Sequence, residues 1–319
     1  MSKELDPNSF RPLAERYLEW MLQTHHSERT VEVRRRHLKY FFDWCGIRGL
    51  ERPDEINRSV MEAYQRYLYK YRKKNGEPLV ISSQIKRLTA PRSYFKYLSQ
   101  RHLIEYNPAA DLQMPRQDVR LPQQILSQSE VARVMNQPDL STDEGIRDRT
   151  ILELFYSTGM RRMELVNLSI YDVDAVRGIV FIKNGKGRKD RVIPIGERAL
   201  NWLDKYQEQV RDKLLYDINE TKLFLNIHGH GISEAYVTEL CGGYIKKAGV
   251  EKKGSCHIFR HTVATLMLEN GADIRYIQQM LGHADIKTTQ IYTQVSIKQL
   301  QSVYKLTHPA SLSKTEKPQ

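Results

Sequence analysis

A polar segment, residues 107–123, most constrains how this chain can fold. Three prolines interrupt it: Pro108, Pro115 and Pro122. It shows no hydrophobic periodicity, which is typical of an interdomain linker. Because 319 residues also exceed one domain of ordinary size, the sequence predicts two domains, residues 1–106 and 124–319, joined by this linker.

The first domain is predicted to be a bundle of four helices separated by short loops, because its apolar residues recur at helical spacing. The second helix, residues 29–45, is predicted to place one stripe against the core: Val33, His37, Tyr40, Phe41 and Trp44. Its other side carries Arg34 and Arg35, and the fourth helix, residues 82–100, carries Lys86 and Arg87.

The second domain is predicted to combine helices with one β-hairpin. The helices are expected at residues 127 onward, 148–157, 197–214, 233–248, 257–270 and 273–281. The run GIVFIKNGKGRKDRVIPIG, residues 178–196, has two short β-rich stretches around a glycine-rich turn. The fold class is therefore expected to be mainly α with a small β-sheet or hairpin in the second domain, that is α+β.

The net charge of +12, from 50 Lys and Arg against 38 Asp and Glu, favours a polyanionic partner, most often nucleic acid. No run is long and apolar enough to predict a membrane span or a secretory signal. Three scattered cysteines argue against a disulfide framework and a structural zinc site: Cys45, Cys241 and Cys256. Their number and spacing fit a reducing cytoplasm.

The stretch TGMRRMEL, residues 158–165, places Arg161 and Glu164 three residues apart, where they can share one helical face. Taken alone, it also fits an ordinary surface ion pair that contributes little to stability.

The stretch NGKGRKDR, residues 184–191, places Lys186 between two glycines at the tip of the hairpin, where its ammonium group projects outward. Glycines let a backbone approach a phosphate closely, but the spacing of a Walker loop is absent. A solvated turn lysine is the alternative.

The stretch CHIFRHTVATLMLENG begins a helix on which His257, Arg260 and His261 fall on one side, together with Ala264. The opposite stripe is predicted to be buried: Phe259, Val263, Leu266 and Met267. The two histidines have the spacing of a zinc site, but Ile258 stands where a catalytic glutamate would be needed. The positive charge of Arg260 also disfavours a metal dication, so no metal is expected.

The stretch LGHADIKTTQIYTQV places His283 directly after Gly282 and Tyr292 nine residues later. A capping histidine and a packed tyrosine are the plain interpretations. Together with the other stretches, however, these side chains suit phosphoryl transfer. Guanidinium groups bind phosphate oxygens, a lysine protonates a leaving alkoxide, and a histidine accepts the proton of a tyrosine that attacks phosphorus. This chemistry needs no cofactor.

In order and in wording, these stretches resemble the tyrosine recombinase (phage integrase) family, and more closely its Xer-type bacterial members. The resemblance is weak over residues 8–105 and strong over 125–305. The family words TGxRxxEL, HxxRH and LGH are present, and GKGxKxRxVP appears as GKGRKDRVIP, with Ile193 in place of its valine. The resemblance assigns six catalytic residues, of which the last is the nucleophile: Arg161, Lys186, His257, Arg260, His283 and Tyr292. Glu164 falls where the family has a supporting acid that orients active-site groups.

The resemblance implies a metal-independent, site-specific DNA recombinase that works through a 3′-phosphotyrosine and a Holliday junction. It implies a C-shaped clamp of two domains around double-stranded DNA, and a homo-tetramer on two recombination sites or an assembly with a second recombinase. A last helix, residues 296–306, is expected to dock on a neighbouring protomer or on its own domain. The candidate DNA-binding residues are Arg34, Arg35, Lys86 and Arg87. A bacterial cytoplasmic, nucleoid-associated location is expected.

Three other functions remain open at this point. A type IB topoisomerase shares the chemistry, and a non-catalytic DNA-binding protein could share the scaffold. A metal-dependent nuclease would need clustered carboxylates, and the best candidates, Asp172 and Asp174, fit better as turn residues. For a recombinase, the biological task could be chromosome dimer resolution, integration or excision, or transposition.

Overall fold

The structure, a computed structural model, describes residues 6–116, 125–183, 190–252 and 254–282. The chain divides into two compact units, Met1–Val119 and Arg120–Gln319. The division falls inside the segment 107–123. Ala109 and Leu112, early in that segment, are buried in the core of the first unit, so this unit continues past residue 106.

The first unit packs amphipathic helices around an aromatic core. They are α1 (Phe10–Gln23), α2 (Glu28–Gly46), α3 (Arg58–Lys70) and α4 (Ile81–Gln100). Helix α2 begins where the side chain of Ser27 accepts a hydrogen bond from Thr30 N, and α3 begins in the same way at Asn57. These caps satisfy backbone N–H groups that have no partner within the helix.

The buried stripe of α2 differs from the predicted one. It passes through Val31, Leu38, Phe41 and Trp44. Val33 and His37 are only half-buried, and Tyr40 is exposed. Phe41 and Trp44 belong to both stripes and lie against the ring of Tyr64. Leu38 and Cys45 complete the buried face in place of His37 and Tyr40.

The second unit contains most of the remaining helices. They are α5 (Gln128–Met135), α6 (Asp143–Thr158), α7 (Arg162–Asn167), α8 (Glu197–Tyr206), α9 (Asp212–Leu214), α10 (Glu234–Lys247), α11 (Cys256–Glu269) and α12 (Ile274–Leu281). The helix predicted from residue 127 onward begins with a capping box, in which Ser127 and Glu130 accept each other's backbone N–H. Helices α6 and α12 end at Gly159 and Gly282, which adopt the left-handed conformation with φ of 59° and 64°. A π-helical turn, Gln207–Arg211, interrupts the helix predicted over 197–214.

A small antiparallel sheet in the order β1-β2-β3 completes the second unit. Its strands are β1 (Val173–Asp174), β2 (Ile179–Ile182) and β3 (Arg191–Pro194). The predicted hairpin is confirmed in β2 and β3, where Val180 pairs with Ile193 and both are fully buried. The fold is thus mainly α with a small sheet, as predicted. Within the described ranges, no helix has the length and apolar character to cross a membrane.

Candidate active site

The structure describes three of the six predicted catalytic residues: Arg161, His257 and Arg260. The other three, Lys186, His283 and Tyr292, lie outside the described residues. The predicted helix 296–306 also lies outside them. Arg161 precedes α7 as its N-cap, whereas His257 and Arg260 lie in the first turns of α11. The ends of α6 and α12 lie beside them, because both receive hydrogen bonds from these arginines.

The carboxyl end of α12 binds three guanidinium groups. The contacts are Arg191 Nε to Met280 O (3.0 Å), Arg260 Nη2 to Leu281 O (2.6 Å) and Arg161 Nη2 to Gly282 O (2.8 Å). The last carbonyls of a helix have no partner within it and carry partial negative charge, which cations stabilise. The cluster therefore fixes the end of α12, from which the chain continues to His283.

Glu164 is the buried anion among these arginines. Its carboxylate accepts hydrogen bonds from Arg191 Nη1 and Nη2 at 2.8 and 2.7 Å. It also accepts from Arg161, through Nη1 at 2.8 Å and the backbone N at 2.7 Å. Burial raises the pKa of this carboxyl, but these hydrogen bonds outweigh burial and hold the pKa at about 2. An ionised Glu164 thus binds two guanidinium groups and balances one of their two positive charges, whereas the alternative considered from sequence was an exposed ion pair.

His257 is exposed at the start of α11. Partial desolvation and the positive charges of Arg260, Arg162 and Arg161 lower the pKa of its imidazole below the usual value. The imidazole is therefore neutral near pH 7 and can accept a proton.

Helix α11 is buried on two sides, because it packs against α6 and against α12. Arg260 and Ala264 are consequently buried, although the helical spacing placed them on the face away from the core. Arg260 offsets the cost of burying its charge by donating to Gly159 O at 2.8 Å as well as to Leu281 O. The predicted exposed face is thus reduced to His257 and part of His261.

Arg191 was missed as a site residue by sequence reasoning. It pairs with Ile182 next to the hairpin loop and lies on the same side of β3 as the fully buried Ile193. A charged residue on the buried face of a strand needs a partner, and here that partner is Glu164. Two signals could have identified Arg191: the strand alternation, and the arginine of the family word GKGxKxRxVP, which falls on this residue.

The carboxylates considered for a nuclease have other roles. Asp172 accepts a hydrogen bond from Ser169 N and lies 2.6 Å from the Lys183 ammonium. Asp174 accepts a hydrogen bond from the backbone of Arg177. Among the residues with described positions, no three His, Cys, Asp or Glu side chains come together as metal ligands do.

The basic candidates of the first unit differ in their surroundings. Arg35 pairs with Glu15, and Lys86 is exposed on α4. The guanidinium of Arg87 lies 4.3 Å from the ring centre of Tyr40 and 5.3 Å from that of Tyr71. Such stacking orients a guanidinium without using its hydrogen-bond donors. Arg34 is half-buried on α2. Burial raises the pKa of the Tyr17 hydroxyl, and the positive charge of Arg34 partly offsets that rise.

The chain is similar in sequence to known proteins. A family model described as the phage integrase family matches residues 124–299. The tyrosine recombinase XerC 2 of Ralstonia nicotianae is 45% identical over 302 residues, which cover 95% of this chain and 87% of the relative.

Solved structures share the fold. XerH site-specific recombinase, in a post-cleavage complex with a palindromic difH substrate, aligns with a TM-score of 0.71 and 22% identity, over 87% of this chain and 79% of that one. A lambda integrase tetramer bound to a Holliday junction aligns with a TM-score of 0.66 and 18% identity, over 91% and 78%.

Proposed function

Because the chain belongs to the phage integrase family and is a Xer-type tyrosine recombinase, a site-specific DNA recombinase, we propose that it acts through a covalent 3′-phosphotyrosine on Tyr292. The observation that supports this mechanism is the convergence of Arg161 and Arg260 at the end of α12, with His257 one turn from Arg260 on α11. The topoisomerase, nuclease and non-catalytic alternatives are not favoured by these similarities.

Strand cleavage is a transfer of phosphorus from one oxygen to another. Arg161 and Arg260 bind the non-bridging oxygens and stabilise the charge of the pentavalent transition state. The Tyr292 hydroxyl attacks phosphorus and passes its proton to His257, while the bond to the 5′ oxygen breaks. Lys186 protonates that leaving oxygen, and His283 holds the phosphate. The phosphotyrosine keeps the bond energy, so attack by a 5′ hydroxyl reverses the step and rejoins DNA.

The assembly proposed is four protomers on two recombination sites, either identical or including a second recombinase. The DNA-bound XerH complex and the lambda integrase tetramer on a Holliday junction support it by analogy of fold. The first unit would supply phosphate and base contacts through four basic residues: Arg34, Arg35, Lys86 and Arg87. The first unit, with Ala109 and Leu112 in its core, and residues 124–319 would then be the two DNA-enclosing domains, in the cytoplasm at the nucleoid.

The proposal is tested with a suicide duplex, nicked so that the cleaved 5′ end diffuses away and religation is prevented. The recombination site for this duplex is identified first, by trapping the protein covalently on genomic DNA and sequencing the DNA ends attached to it. We expect an SDS-resistant protein–DNA adduct on the 3′ phosphate of one sequence. If that duplex yields free ends without attached protein, the phosphotyrosine mechanism is wrong.

Adduct formation is expected to continue at an unchanged rate in excess EDTA, because the charge of the transition state is balanced by arginines and not by a dication. The measurement is the single-turnover rate on the same duplex with EDTA or with magnesium. A rate that collapses in EDTA and returns with magnesium would favour a metal-dependent nuclease.

A further inference from the structure

Arg191 is the one guanidinium of the α12 cluster that has no role in the mechanism above. Its side chain is only 11% exposed. It spans three acceptors: both carboxylate oxygens of Glu164 and the Met280 carbonyl of α12. It thereby connects the hairpin strand β3, the start of α7 and the end of α12.

Gly282 provides independent support for this connection. A Cβ atom at Gly282 would lie 2.9 Å from Cδ and from Nε of Arg191. The left-handed conformation of Gly282 already favours glycine, and the absence of a side chain also lets Arg191 lie directly against the helix end. The contact is therefore a close fit between strand and helix, and not a chance approach of a surface arginine.

We propose that Arg191 is a positioning residue for strand cleavage, which holds the end of α12 and, through Glu164, the guanidinium of Arg161. This inference rests on the proposed function, since it assigns Arg191 to the same cleavage step. Arg161 donates to Gly282 O and to Glu164 from one guanidinium, so a shift of Glu164 moves the group that binds the phosphate. A shift of α12 moves the chain that leads to His283 and Tyr292.

The three contacts of Arg191 need the planar fork of a guanidinium. A lysine keeps the positive charge, but its single ammonium cannot bind both oxygens of Glu164 in one plane and also reach Met280 O. Arg191→Lys therefore removes the positioning while it keeps most of the electrostatic field of the site. A misplacement of about 1 Å in an active site can cost 10²-fold in rate.

Arg149→Lys is a matched control in the same unit. Arg149 is 12% exposed and donates to the buried carboxylate of Glu153, as Arg191 does to Glu164. It also donates to Met135 O, the last carbonyl of α5. Both arginines link a buried carboxylate to the carboxyl end of a helix. Arg149 binds one oxygen of a carboxylate on its own helix, and its contacts do not include α12.

The experiment measures single-turnover formation of the covalent adduct on the suicide duplex, and the Kd for that duplex, with the full chain. For Arg191→Lys we expect the rate to fall about 10²-fold, while the Kd changes by less than about twofold. For Arg149→Lys we expect a rate within about threefold of the wild-type rate. Thermal unfolding of both variants shows whether they lose similar stability.

Three outcomes overturn the inference. They are a wild-type rate in Arg191→Lys, an equal loss of rate in Arg149→Lys, and a loss of rate matched by an equal loss of DNA affinity. A double variant tests the route through Glu164: Arg191→Lys with Glu164→Gln should cleave about as slowly as the slower single variant. If the rate of the double variant falls by the product of the two single losses, the route through Glu164 is wrong. Failure of the wild-type chain to form any adduct would instead reject the proposed function itself.

Discussion

Tyr292→Phe is expected to abolish the covalent adduct while DNA binding stays within about twofold of wild type. Phenylalanine keeps the ring but lacks the oxygen that forms the bond to phosphorus, so no phosphotyrosine can form. The rate of adduct formation should fall by more than about 10⁴-fold, because the arginines alone cannot replace the attacking oxygen. The measurement is adduct formation on the suicide duplex, together with the Kd for the same DNA.

Other tyrosines of the second unit are poor substitutes for Tyr292. Tyr236 and Tyr244 on α10 donate hydrogen bonds to the buried Asp148. Burial, together with the negative charge of Asp148, raises the pKa of both hydroxyls above the usual value. Ionisation is therefore harder for them than for an ordinary tyrosine.

The matched control is Tyr276→Phe. Tyr276 lies on α12, close in sequence to the cluster, and its side chain is largely exposed. This variant should form the adduct at the wild-type rate. An adduct that persists in Tyr292→Phe and disappears in Tyr276→Phe would show that Tyr276, and not Tyr292, is the nucleophile.

The helices could be predicted well from local chemistry. Ser27 and Ser127 mark helix starts in the sequence, and Gly159 and Gly282 mark ends, because caps act within a few residues. Strand β1 could not be predicted, because two residues carry no readable alternation and pair only once β2 is in place. The rotation of α2 was also missed, since the two stripes share Phe41 and Trp44, and only packing against other helices buries Leu38 in place of Tyr40.

The candidate site was predicted in its residue types but not in its contacts. The motif spacing identified Arg161, His257 and Arg260, and the described part of the chain brings them to one place. The burial of Glu164 and the participation of Arg191 depend on residues far apart in sequence, since the two are separated by 27 positions. The bonds to the end of α12 are to backbone carbonyls, which have no side-chain signature. Local patterns therefore suggest which groups react, whereas the fold decides which groups hold them.

Asp148→Ala is expected to destabilise the second unit by about 3–5 kcal/mol, because it leaves a buried cation without its anion. Asp148 on α6 accepts hydrogen bonds from Arg147, at 3.2 and 3.1 Å, and from Tyr236 and Tyr244, at 3.0 and 2.9 Å. The Arg147 side chain is almost fully buried. The network holds α6 to α10, and α6 ends at Gly159, whose carbonyl receives Arg260.

The measurement is the urea midpoint of the transition that reports on the second unit, with m-values compared before any free energy is derived. Tyr244→Phe, which removes one hydroxyl from the network, should cost only about 1 kcal/mol. Asp143→Ala is the control on the same helix, because Asp143 pairs with Lys213 at an exposed position and should cost less than about 1 kcal/mol. A loss at Asp148 no larger than the loss at Asp143 would mean that this network does not hold α6 to α10. In that case the position of Gly159, and with it that of Arg260, would depend on apolar packing between α6 and α11, such as the stacking of Phe155 on Phe259.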